Sequence, residues 1–260
     1  MPDLFVNMLN PKSIVAAVIS ASFLFFSFPV LAEEGTTLQL AYRYPTNSIM
    51  NSRINLIANQ VFVRTGITLE FVEVPAKRSL ALANSGDFLD GEAVRISALG
   101  ESEKYQNLIR IDVPLGYGHL VGLHKNRLLK SSLMLSVLKN KSVCYMKGQL
   151  VSDNLANKLD LKNVVNPTST MQVVKMVAAE RCDVGFYVFE FSTPEVLEFF
   201  YENDINFTVV IEKAPFYMYL NKSKEKMIPK IKAALMDMES DGILESLSQS
   251  SQFFLGHEFD

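Results

Sequence analysis

Apolar and polar positions along the chain follow two periods in turn, and the switches between them mark the elements. Leu38–Tyr42 reads as a strand. Ser48 then caps a helix running through Arg64, with Ile49, Ile54, Ile57 and Val61 at helical spacing, and Gly66 stops it. Thr68–Val74 is predicted as a strand, Pro75–Asn84 as a helix and Asp90–Ser97 as a further strand. Pro75 suits the first helical position because it has no N–H to lose, and Gly86 suits the left-handed residue that ends a helix. Alternation of this kind predicts an α/β fold, with a parallel sheet and helices on both faces.

A second unit begins after Gly116-Tyr-Gly118. Its strands are predicted at Ser142–Met146, Val164–Val165 and Asp183–Val188, and its helices at Ser131–Asn140, Val151–Leu159, Ser169–Arg181 and Pro194–Glu202. Asn206–Ile211 and Phe216–Leu220 are again strand-like. A closing helix, Met227–Glu239, ends before Gly242, and Ile243–Leu247 adds a short helical turn. This last segment follows the second unit, so it is placed to return to the first. No internal repeat and no low-complexity linker separates the units.

The N-terminal pattern differs in kind. Ile14–Leu31 is apolar apart from serines and Pro29, Lys12 precedes it, and Val30-Leu31-Ala32 offers the small residues that a signal peptidase reads. Residues 1–32 are therefore expected to be a cleaved signal peptide that sends the protein to the periplasm. A retained anchor is the competing reading, since the run is nearly long enough to span a bilayer.

The formal net charge of −3 argues against nucleic-acid binding, which requires a clustered basic face. Cys144 and Cys182 are the two cysteines, each at or beside an apolar run that reads as a buried parallel strand. In an exported chain such a pair forms a disulfide if the strands are neighbours; two buried free thiols are the alternative.

Enzyme signatures are absent: there is no Gly-x-Ser-x-Gly elbow, no His-Glu-x-x-His and no phosphate-cradling glycine loop. No catalytic residue, metal or cofactor is expected. His119 and His124 lie five apart on a predicted strand, hence on opposite faces. The carboxylates Asp90 and Glu92 lie on one strand face, where Arg95 and Lys77 make an ion-pair network the simpler explanation than paired acid–base catalysis. Two arginines invite a binding role. Arg78 falls in the first turn of its helix, and Arg95 falls at the carboxyl end of a strand, where open α/β sheets place their ligands. A solvated helix face plus a strand-end salt bridge is the plainer reading of the same two residues.

Five segments then suggest a family. Pro75-Ala-Lys-Arg-Ser-Leu-x-x-Ala-x-x-Gly86, Leu89-Asp-Gly-Glu-x-x-Arg95, Ser142-Val-Cys-Tyr-Met-Lys-Gly148, Ala178-Ala-Glu-Arg-Cys-Asp-Val-Gly185 and Ile231-Lys-Ala-Ala-Leu-x-x-Met-x-x-Asp-Gly-Ile-Leu244 resemble bacterial extracellular solute-binding proteins of family 3. These are the amino-acid-binding components of ATP-binding-cassette importers, and the resemblance covers Leu38–Leu247. It implies a type 2 periplasmic-binding-protein-like fold with two lobes joined by two crossing hinge strands. Lobe 1 would comprise residues 33–117 plus 216–260 and lobe 2 residues 118–215, with hinges at Gly116-Tyr-Gly118 and Ala214-Pro215. It implies a monomer that binds a small polar, anionic or amino-acid-like ligand, with a membrane permease or sensor as partner. The further alternatives are a ligand-poor partner protein and a dehydratase-like enzyme using Glu92 or Asp90.

The binding positions of that family carry over unevenly. Tyr44 matches the aromatic presented after the first strand. Arg95-Ile-Ser97 stands where small hydroxyl residues are usual, so Arg95 and Ser97 are candidates. The usual carboxylate-gripping arginine has no counterpart in Glu101-Ser-Glu-Lys-Tyr105. Gly148 and Gln149 match the loop whose amides meet a carboxylate at a helix N-terminus. The acidic residue for a ligand ammonium would fall at Val188, with Tyr187 or Glu190 as substitutes.

Overall fold

A computed structural model describes residues 35–99, 103–125, 137–208 and 210–248. The expected signal peptide, Glu101, the first part of the helix expected at Ser131–Asn140, and the C-terminal residues from 249 lie outside the described residues, as does the side chain of Lys77.

Strand β1 (Thr37–Tyr42) leads through Ser48 into helix α1 (Ile49–Thr65), where the Ser48 side chain accepts the Asn51 amide and Gly66 closes the helix at φ 71°. Ile54, Ile57 and Val61 are the buried face. Strand β2 (Thr68–Glu73), helix α2 (Ala76–Ser85) and strand β3 (Gly91–Ile96) complete a β-α-β-α-β unit. Pro75 is the cap of α2 rather than its first helical residue, its ψ of 138° being extended, while Gly86 ends the helix at φ 77° as expected.

After β4 (Leu108–Arg110) come the long strand β5 (Gly116–His124), β6 (Val143–Tyr145), α3 (Leu150–Lys158), β7 (Val164–Val165), α4 (Thr170–Ala178), β8 (Val184–Val188) and α5 (Pro194–Glu202). The chain closes with β9 (Asn206–Phe207), the long strand β10 (Glu212–Asn221) and α6 (Ile228–Ser240). Residues 243–248 are helical, as expected. Where a helix was expected to reach Asn140, Val137–Asn140 is a short 3-10 turn.

One sheet of ten strands runs through these elements in the order β2-β1-β3-β10-β5-β8-β6-β7, with β4 added on β10 and β9 on β5. Each end of it repeats a single plan. The first strand sits in the middle, the second outside it and the third inside, all parallel: β2-β1-β3 at one end and β7-β6-β8 at the other. Between them β10 and β5 are antiparallel to each other and to their neighbours. The expected hinge segments are paired across these two strands, Gly118 with Ala214 and Tyr117 with Pro215. Ala214-Pro215 therefore lies within a strand and not in a turn between two strands.

The carboxyl ends of the parallel strands are where the sheet plan opens a crevice, at the reversal between first and third strand. One buried cluster, including Leu40, Ile57, Val184, Phe186, Met218 and Leu235, runs through both ends of the sheet. A second packs Val121, Val173, Tyr187, Phe200 and Phe207 around Cys144 and Cys182, which form a disulfide with Cα atoms 6.0 Å apart. Cys144 is on β6, and Cys182 lies just before β8, its parallel neighbour.

Gly91 shows why the Leu-Asp-Gly-Glu segment holds a glycine. A Cβ there would lie 2.0 Å from the carbonyl oxygen of Tyr219 on β10, so only glycine allows β3 and β10 to approach this closely.

Candidate functional site

Four strand ends converge on one crevice. Arg43 and Tyr44 follow β1, Arg95 and Ile96 end β3, Gln149 precedes α3 just past β6, and Val188 and Phe191 lie at the end of β8 and in the turn beyond. Phe216 of β10 closes one side, and Leu150 and Val151 of the first turn of α3 the other. The cavity left among them is about 20 Å³, room for about one water.

Arg95 was expected to face a ligand, and it does line the crevice, but its charge is already met. It is 3% exposed; its Nε donates to Glu92 Oε2 at 2.8 Å and its Nη2 to Ser79 Oγ at 2.6 Å. Burial works to lower the Arg95 pKa, but Glu92 outweighs it, and the guanidinium is held above its ordinary value. Residues three apart on a regular strand face opposite ways. Here the register slips: Glu92 pairs with Tyr219 and Arg95 with Tyr217, three residues of β3 spanning two of β10. Such a bulge re-aims side chains, and it brings Arg95 onto the face of Glu92. Asp90 belongs to a different contact, with Lys224 Nζ at 3.1 Å.

Arg43 is the cation that sequence reasoning passed over. Its Nη1 donates to the Gly148 carbonyl at 3.1 Å and its Nη2 to the Tyr44 hydroxyl at 3.0 Å, and the guanidinium lies 4.9 Å from the centre of the Tyr44 ring. Among the described residues no carboxylate pairs with it. Its Nε is shielded from solvent and has no hydrogen-bond partner among the described residues. Burial pulls its pKa below the ordinary arginine value; Tyr44 opposes that shift and the nearby Arg95 adds to it. The signal was available, since Arg43 follows the first strand as closely as Tyr44 does.

The other expected residues divide. Tyr44 is buried and stacks on Phe191, ring centres 3.7 Å apart at 15°. Gln149 is 2% exposed; its Oε1 accepts from Ser152 Oγ at 2.9 Å, while its Nε2 is shielded and unpartnered. Gly148 presents its carbonyl to Arg43. Ser97 is half-buried beside the crevice, and its carbonyl accepts from the Tyr219 hydroxyl.

Gly148 and Ser97 adjoin the cavity without lining it, and three further expected residues are not brought to it. Arg78 is exposed, because α2 turns Ser79, Leu80 and Ala83 inward, and residue 78 lies about 200° around the helix from Leu80. Tyr187 points to the opposite face of β8 from Val188, where it meets Phe200 edge-on in the second cluster. Glu190 is fully buried against β5, its Oε2 accepting the His119 amide at 2.8 Å and its Oε1 lying 2.6 Å from His119 Nδ1. His119 and His124 both lie on β5, and among the described residues no cluster of ligating side chains suited to a metal ion occurs.

No protein-family model matches the chain, and no curated protein matches its sequence. Its architecture recurs among solved structures. A histidine kinase sensor domain with similarity to periplasmic binding proteins aligns with a TM-score of 0.63 at 15% identity, over 82% of this chain and 94% of that one. An ancestral arginine-binding protein bound to glutamine gives 0.63 at 17%, over 81% and 95%. AbpA of Streptococcus pneumoniae, an amino acid ABC transporter substrate-binding protein bound to L-arginine, gives 0.62 at 13%, over 83% and 94%. The chain therefore has the two-lobed, type 2 periplasmic-binding-protein-like fold expected from its motifs. Among the described residues no helix is long and apolar enough to cross a membrane.

Proposed function

We propose that the protein is an exported solute-binding protein that captures a small anionic or amino-acid-like molecule in the crevice between its lobes, for delivery to an ABC-type transporter. The lobes are residues 33–117 plus 216–260 and residues 118–215, and the solute is held by Arg43, Tyr44, Arg95 and Gln149. One observation carries the reading. Two residues that line the same cavity, Arg43 on one wall and Gln149 on the other, each carry a shielded N–H donor (Nε and Nε2) without an acceptor among the described residues. Buried donors are costly unless met, and of the two guanidinium groups Arg95 alone is paired with a carboxylate, Glu92, among the described residues. A carboxylate supplies both the acceptor atoms and the missing charge. The amino-acid ligands of the ancestral arginine-binding protein and of AbpA are consistent with a solute of this size. The disulfide suits an oxidising compartment outside the cytoplasm.

A thermal-shift screen of amino acids, organic acids and short peptides on unfolded and refolded protein tests this. A solute at 100 times its Kd adds about 2.7 kcal/mol, which raises Tm by several degrees. Silence across the screen overturns the reading. It would favour the second one, a partner protein reporting to a membrane sensor, which the near-filled crevice and the likeness to a sensor domain support.

A further inference from the structure

Among the described residues, four contacts cross from one wall of the crevice to the other. Tyr44 stacks on Phe191, the Ile49 amide donates to the Ser192 carbonyl at 3.2 Å, and Asn47 Nδ2 reaches the Glu195 carboxylate at 3.1 Å on the exposed rim. The fourth is made by a charged side chain inside: Arg43 Nη1 donates to the Gly148 carbonyl. Arg43 belongs to the turn after β1, and Gly148 to the loop between β6 and α3, so this bond ties the two parallel ends of the sheet together. With the side chains so placed, about 20 Å³ remains. A molecule of amino-acid size and the Arg43–Gly148 bond compete for one space.

We infer that Arg43 is a latch, a tethered guanidinium that holds the lobes together through the Gly148 carbonyl and must let go before a solute can settle. The crevice treats this group as it would treat a bound cation. The Gly148 carbonyl and Tyr44 hydroxyl accept from it, the Tyr44 ring lies beneath it, and Glu92 contributes a favourable charge. Trimming Arg43 therefore removes a cross-lobe bond and leaves a vacated guanidinium site. The latch itself needs no solute; only its gating consequence rests on the proposed binding function.

The experiment uses spin labels on Val63→Cys of α1 and Tyr201→Cys of α5, both highly exposed positions, with the native cysteines kept in their disulfide. Pulsed distance measurement with Arg43 present is expected to give one short-distance population. Arg43→Ala should add a longer one, lowering the closed-to-open ratio about tenfold or more, the effect of losing a charge-assisted hydrogen bond. Millimolar methylguanidinium should restore the short distance in Arg43→Ala and change nothing in the parent. Asn47→Ala, which breaks only the rim contact, should leave the distribution nearly as it was. An unchanged distribution in Arg43→Ala overturns the latch, and failure of methylguanidinium to restore the short distance overturns the guanidinium site. Should Arg43→Ala lose its cooperative melt, Arg43→Gln is read the same way. No solute enters the measurement, so a silent thermal-shift screen leaves the latch standing, and a failed latch leaves the screen to decide on binding.

Discussion

The two walls of the crevice stand on the same strand plan and are chemically unlike. On the side of β1 and β3 the strand ends present Arg43 and Arg95, with Glu92 beneath. On the side of β6 and β8 they present Leu150, Val151, Val188 and Phe191, relieved by the Gln149 amide and the Gly148 carbonyl. The repeated topology determines where a site falls, and the residues at those ends determine what it can hold. One wall supplies charge, the other supplies cover that excludes water and strengthens the interaction with that charge. On the proposed function, a solute meets its counter-charge on lobe 1 and is sealed by lobe 2.

The same contrast extends to what holds each end of the sheet together, and the strongest test lies at the β1–β3 end. Gly91→Ala places a methyl 2.0 Å from a backbone carbonyl of β10, and backbone in the middle of a sheet cannot step aside. We expect a loss above about 4 kcal/mol, seen as an absent or greatly lowered cooperative melt by circular dichroism. A native-like Tm would mean that the β3–β10 approach is looser than described.

Next comes the buried pair. Arg95→Met strands the Glu92 carboxylate, itself 2% exposed, and should cost about 3–5 kcal/mol. Adding Glu92→Leu should recover most of this, because a buried pair replaced by apolar side chains is close to neutral. Chemical denaturation of the three variants measures both effects. If the single substitution is silent, the Arg95–Glu92 pair is not what stabilises this wall.

The β6–β8 end of the sheet carries a covalent tie. Replacing Cys144 and Cys182 by alanine opens a loop of sequence separation 38 and should cost about 2–4 kcal/mol, lowering Tm by roughly 5–15 °C. Dithiothreitol should reproduce the shift in the parent and leave the double variant unmoved. Equal Tm values would show that the aromatic packing of Tyr187, Phe200 and Phe207 suffices without the bridge.

Much of this arrangement was legible in the sequence. Ser48, Gly66 and Gly86 end their helices as their chemistry requires, and the six parallel strands were found to within one residue because their apolar runs are bounded by turn residues. The expected Asn206–Ile211, by contrast, overran β9, the expected Phe216–Leu220 missed the first part of β10, and β4 went unpredicted. The site was legible in place more than in content. Tyr44, Arg95 and Gln149 border the cavity, since the rule of carboxyl strand ends needs only topology. The partner of Arg95 was not legible, because the bulge in β3 cancels the alternation that a linear reading relies on. Arg78 misled for a related reason: a first-turn arginine is inward or outward according to which neighbours fill the core, and Leu80 and Ala83 do so here. Tyr187 is one step from Val188, which on a strand changes the face, and Glu190 lies in the 3-10 turn after β8, where strand alternation no longer applies.

The smallest expected effect is the most discriminating, because it separates cover from recognition on the lobe 2 wall. Gln149 uses its Oε1 on Ser152 and leaves Nε2 without a partner. In Gln149→Leu the shape of the wall is nearly kept, and a costly unmet donor is exchanged for an apolar group. Stability of the solute-free protein should therefore stay level or rise by up to about 1 kcal/mol. Affinity for whichever solute the thermal-shift screen identifies should fall about 5- to 30-fold, the effect of one hydrogen bond to a charged group. Titration calorimetry of the solute, paired with a melt of the solute-free protein, reads the two changes separately. Unchanged affinity together with raised stability would show that lobe 2 contributes cover alone. All recognition would then rest with the two guanidinium groups opposite, and Arg43→Lys, which keeps the charge but loses the fork, would be the substitution that decides between them.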